Sequence, residues 1–95
     1  MASYKSVLGE HLDDIKARID KDIAMFYEND IKTYHMPEEA ENSKSINHVV
    51  DLSVMYAKDA KSYLDKGDLF TAFASISYAH GLLDSVKEIF FNKDA

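Results

Sequence analysis

Cysteine and tryptophan are absent from this 95-residue chain, proline occurs once and glycine three times. Without cysteine there is no disulfide, zinc–thiolate centre, iron–sulfur cluster or thiol nucleophile. An all-β chain needs a turn about every 8–12 residues, and so few breakers cannot supply them. No apolar run approaches the roughly 18–20 residues that cross a bilayer, and the opening residues lack a secretory pattern. A soluble cytoplasmic protein with no membrane partner is therefore expected. Basic residues are also scarce, with 11 Lys and Arg against 17 Asp and Glu for a net charge of −6. Most of such a surface repels phosphates, so nucleic acid is not an expected partner.

What remains is 46% hydrophobic and 12% aromatic, enough for one core in a chain too short for two domains. The periodicity is helical. Leu8, Leu12, Ile15, Ile19, Ile23 and Phe26 recur at three- and four-residue spacings, one stripe of an amphipathic helix. Asp13, Lys16, Asp20 and Lys21 lie opposite, and Asp14, Arg18 and Asp22 form i, i+4 pairs worth a few tenths of a kcal/mol each. This first helix is expected over about residues 4–32.

Pro37, followed by Glu38 and Glu39, carries a helix start signal, because proline suits the first position and acids favour the free N–H groups. The apolar stripe begins later, with Ile46, Val50, Ser53, Ala57, Ala60 and Leu64. The second helix is thus expected over 37–65 or 43–65, and the sequence leaves both open. The next boundary is sharper. Gly67 suits a left-handed helix end and Asp68 suits an N-cap, so a tight turn folds helices 2 and 3 into an antiparallel pair. Helix 3 is expected over about 69–91, with the core row Ala72, Ile76, Ala79, Leu83, Val86 and Phe90. Small residues in both facing rows allow a close approach of those axes. The expected fold is all-α, an up-down-up three-helix bundle forming a single domain over 1–95.

The stretch from Tyr56 through Tyr63-Leu64-Asp65-Lys66-Gly67-Asp68, followed by Ala72, Ala74 and Ser77-Tyr78-Ala79-His80-Gly81-Leu82-Leu83-Asp84, resembles an archaeal family of short proteins catalogued as domain of unknown function 357. The resemblance covers about 30 residues of helices 2 and 3, while helix 1 matches only in length and amphipathicity. It implies a three-helix bundle from an archaeon with no established activity. Tetratricopeptide hairpins share the turn, but no second copy follows at a period near 34. Helical RNase toxins place an Arg shortly before a His; here the one Arg, Arg18, lies on another helix, far from His80.

One face of helix 3 is unusual. At 100° per residue, Phe73, Ser77, His80, Asp84 and Phe91 fall in a sector about 60° wide, with Phe70 and Gly81 just beyond it. A solvated face should carry Lys and Glu instead. Ser77, His80 and Asp84 share that face, but a nucleophilic triad also needs free N–H donors aimed at an oxyanion, and mid-helix N–H groups are already bonded. No catalytic residue is assigned, and the chain is not expected to be an enzyme. His80 and Asp84 are expected to form an i, i+4 hydrogen-bonded pair at the core edge, with Ser77 and Gly81 making a notch for a neighbouring helix or a ligand.

No metal site and no cofactor are expected. His11 stands near Asp13 and Asp14, but one imidazole with loosely spaced acids is no cage, and His35, His48 and His80 are scattered. Glu38, Glu39 and Glu41 read as a helix start, and no Gly-rich loop is present to cradle phosphate. Two functions remain. The first is a noncatalytic interaction module that forms a homodimer or binds another protein through Phe70, Phe73, Ser77, His80, Gly81, Asp84 and Phe91. The second is a small-molecule or nucleotide-binding domain with a pocket near His80 and Asp84. A pocket of a few hundred Å³ beside those two would favour the second; satisfied side chains there would favour the first.

Overall fold

A computed structural model describes residues 4–91, with side chains described from residue 11 onward. Three helices, α1 (Tyr4–Tyr27), α2 (Ser43–Asp65) and α3 (Leu69–Val86), build an all-α three-helix bundle. A 3₁₀ turn (Ile31–Tyr34) lies between α1 and α2, and a π turn (Lys87–Phe91) continues α3.

α1 stops five residues before the expected end near 32. The Asn29 side-chain amide donates to the carbonyls of Phe26 at 2.9 Å and Met25 at 3.3 Å, taking acceptors that the next helical turn would use. Pro37 does not open α2. Asn42 adopts a left-handed φ of 65°, which breaks helical continuity, and α2 starts at the following Ser43. The connection before it is held by Asn47. Its Oδ1 accepts from the Met36 backbone N–H at 2.7 Å, and its Nδ2 donates to the Met36 carbonyl at 3.0 Å. Both polar groups of one loop residue are thereby satisfied by one side chain.

Between α2 and α3 the backbone closes a Schellman motif. The N–H of Asp68 reaches the Tyr63 carbonyl at 2.9 Å and that of Gly67 reaches Leu64 at 3.0 Å, with Gly67 at φ 83°. Asp68 Oδ1 then accepts from the Thr71 N–H at 3.1 Å, capping α3. Tyr56 meets Tyr78 edge-on at 4.6 Å, and Val50 packs with Val86 further from the turn, so the two helices pair in opposite directions. Ser53, Ala57 and Ala60 of α2 and Ala72 and Ala79 of α3 are fully buried. Ser53 satisfies its hydroxyl on the Val50 carbonyl at 2.6 Å.

α1 runs alongside α3 in the same direction. Lys87 Nζ donates to Asn29 Oδ1 at 3.1 Å, His80 Nε2 donates to the Asp22 carbonyl at 2.8 Å, and Phe73 borders Ile15 and Ile19. Ile19, Ile23 and Phe26 enter the core with Ala57, Ala60, Ala72, Ile76, Ala79 and Leu83. Two members of the expected α1 stripe do not follow them: Leu12 is 41% and Ile15 36% exposed. In the register set by those contacts they lie level with the first residues of α3, where the hairpin turns away and leaves little to cover them. Leu8 lies outside the residues whose side chains are described.

The expected core row of α3 also breaks at its last member. An α-helix would place Phe90 inward after Val86, but the i→i+5 bonding of the π turn adds one residue to the repeat. Phe90 is consequently 44% exposed, and Phe91 packs edge-on against Tyr34 at 5.3 Å. A second apolar cluster of Ile46, Val50 and Val86 forms there, with Ile31, Tyr34, Met36, Val49 and Phe91 packed on it.

Candidate functional site

The unusual sector of α3 divides into two sets. His80 and Phe91 turn inward and serve the fold. His80 places its ring edge-on to Phe26 at 5.7 Å while Nε2 binds the α1 backbone. Because a carbonyl only accepts, this contact fixes the proton on Nε2. No hydrogen bond joins His80 to Asp84 among the described residues, which corrects the expected i, i+4 pair. The ring reaches across to α1 and Asp84 stands in solvent. The same geometry separates Ser77, His80 and Asp84 as a chemical unit, since the ring nitrogen that a triad needs is occupied by Asp22.

Phe70, Phe73, Ser77, Gly81 and Asp84 form the second set, and all are exposed. Phe70 is 88% and Phe73 51% exposed. Phe73 flanks a shallow notch of about 310 Å³ shared with Ile15, Arg18 and Ile19 of α1. Gly81 is exposed in mid-helix, and a Cβ built there would meet no heavy atom within 4 Å. The other two expected structural positions, Gly67 and Asp68, stand in the turn described above.

A second surface, not anticipated from the sequence, lies between α1 and α2. Two adjoining troughs of about 390 and 530 Å³ share Tyr27 and Lys58. The first is completed by Asp20, Ile23, Ala24 and Lys61, and the second by Ile31, Lys32, His35, Asp51, Val54 and Met55. His35 Nε2 binds Asp51 Oδ1 at 2.7 Å across the second, and Lys61 reaches Asp65 at 3.2 Å. The i, i+3 spacing of Lys58 and Lys61 was the available sequence signal. It reads equally well as an ordinary solvated edge, because the remaining cations come from a different segment.

Among the described residues no three His, Asp or Glu side chains gather as metal ligands, and no helix is long and apolar enough to cross a membrane. Neither His80 nor Asp84 lines the troughs or the notch. No curated protein and no solved structure matches the chain. A family model described as "Protein of unknown function (DUF357)" matches residues 3–91, nearly the full length and all three helices, and the chain belongs to that family.

Proposed function

We propose that this domain is a noncatalytic self-association module whose contact surface is the outer face of α3. The observation that carries this reading is Gly81. Glycine inside a helix costs about 0.5–1 kcal/mol relative to alanine. Among the described residues nothing lies within 4 Å of the missing Cβ, so the fold they form gains nothing from its absence. A glycine that the fold does not need is accounted for by a close approach from outside.

Its neighbours support the same reading. Phe70 and Phe73 offer apolar area of the kind that dominates interface energetics, roughly 150–250 Å² for a wholly buried ring. Ser77 and Gly81 give a low surface along which another backbone can run, and Asp84 supplies a polar border. With 1.5 Å of rise per residue, the face from Phe70 to Asp84 is about 21 Å long. Sedimentation of the 10.8 kDa chain at micromolar concentration is expected to give multiples of its mass. Gly81→Arg returns it to the monomer with an unchanged far-UV circular dichroism spectrum, since the added side chain projects into open space. A wild-type chain that stays monomeric throughout would refute the proposal.

A further inference from the structure

We infer that the outer face of α3 in one copy seats in the basic trough between α1 and α2 of another copy, so that the chain assembles head to tail. This inference rests on the self-association reading above and names the receptor surface.

Charge is the first argument. In a chain of net charge −6, α3 has no Lys or Arg from Leu69 to Val86, and its exposed face carries the carboxylate of Asp84. The troughs reverse that balance. Lys32, Lys58 and Lys61 line them against Asp20 and Asp51; Asp51 is already engaged by His35 and Lys61 by Asp65. The ammonium groups of Lys32 and Lys58 have no hydrogen-bond or ion-pair partner among the described residues. An acidic face and a basic furrow on the same molecule are complementary to each other in a way neither is to itself.

Shape and apolar character agree. The floor between the cations is apolar, built from Ile23, Ala24, Ile31 and Val54, and Tyr27 and Met55 stand about half exposed along it. From Asp51 to Lys61 the α2 wall is about 15 Å long, most of the length of the α3 face. A helix laid in that furrow would pack as a fourth member beside α1 and α2, with Phe70 and Phe73 as its large side chains.

Handedness of the contact follows from placement. The buried row of α3 faces α1 and α2, so the opposite side, with Phe70, Ser77 and Gly81, points away from both, while Phe73 stands at the α1 border. The troughs contain no α3 residue. The two surfaces therefore lie on opposite sides of the bundle, and their contact is heterologous, leaving one surface of each kind free in any open assembly and none in a closed ring.

Two one-sided variants test this. Gly81→Arg blocks the face and keeps the trough. Lys32→Glu with Lys58→Glu reverses the trough and keeps the face, and it touches no side-chain bond of the fold. Each is expected to sediment at 10.8 kDa alone. Mixed in equal amounts, they should form a complex of twice that mass and nothing larger, because only one intact face and one intact trough are present. Wild type should grow beyond a dimer with concentration, and raising the salt from 0.1 M to 1 M should weaken the growth by shortening the Debye length from about 10 to 3 Å.

A Lys32→Glu/Lys58→Glu variant that associates like wild type while Gly81→Arg does not would overturn the trough and spare the face. A mixture that stays monomeric would also overturn the trough. A monomeric wild type would overturn both. Unchanged circular dichroism of each variant confirms that lost association is not lost folding.

Discussion

Replacing Gly81 by alanine separates what the monomer requires from what its surface is for. The residue lies in the interior of α3, five residues before the helical bonding changes at Val86, and its backbone is ordinary helix. Alanine removes the conformational freedom that glycine has in the unfolded chain, worth about 0.5–1 kcal/mol in an unstrained helical site. The added methyl group meets no heavy atom within 4 Å, so no steric term opposes that gain. For a domain of 60–100 residues, 1 kcal/mol shifts Tm by about 4–8 °C, which places the expected rise at about 2–8 °C. The melt should be followed by circular dichroism well below the association range, so that only the monomer is read. A lower Tm for Gly81→Ala would mean that the fold itself needs the glycine, and the argument from Gly81 to an external contact would fail.

Four other substitutions probe the fold. Ala79→Asp, which puts a carboxylate at a fully buried position facing α2, should cost several kcal/mol and broaden or abolish thermal unfolding, whereas Lys16→Asp on exposed α1 should stay within about 0.5 kcal/mol. Asp68→Ala removes the acceptor for the Thr71 N–H and should cost about 1 kcal/mol in urea denaturation. Asn47→Ala strips both polar groups of Met36 of their partner in a part-buried setting and should cost about 1–3 kcal/mol, although position 47 lies far from the main core.

The parts of the fold that the sequence made legible are those determined within a few residues. The Gly67–Asp68 turn combines a left-handed helix end and a cap in two adjacent positions, and the rows of α2 and α3 follow a simple period. Elements settled by distant partners were not legible. The π turn that exchanges Phe90 for Phe91 places Phe91 against Tyr34, a residue more than fifty positions earlier. The end of α1 is the exception, a local feature that was not legible: the Asn29 side-chain amide bonds carbonyls three and four residues back and competes with a stripe that could have continued. Periodicity showed which face of α1 is apolar, but not that Leu12 and Ile15 lie level with the end of the hairpin, where they stay 41% and 36% exposed. At the candidate site, the odd composition of the α3 face was readable, while the true acceptor for His80 was a backbone carbonyl, which has no sequence signature. The trough was hidden for a related reason, since its cations assemble from α2 and the 3₁₀ turn.

The unequal attachment of the three helices has a consequence for how the domain opens. α2 and α3 share a hairpin with most of the small buried side chains between them, whereas α1 is held, among the described residues, by Ile19, Ile23 and Phe26, the His80–Asp22 bond and the Lys87–Asn29 bond. α2 and α3 pack against each other more extensively than α1 packs against either, so detachment of α1 is the lowest-cost sub-global opening available. Amide hydrogens of α1 should exchange with solvent through that partial opening, at rates set by a smaller free energy than global unfolding. Those in the facing rows of α2 and α3 should exchange only when the whole domain unfolds.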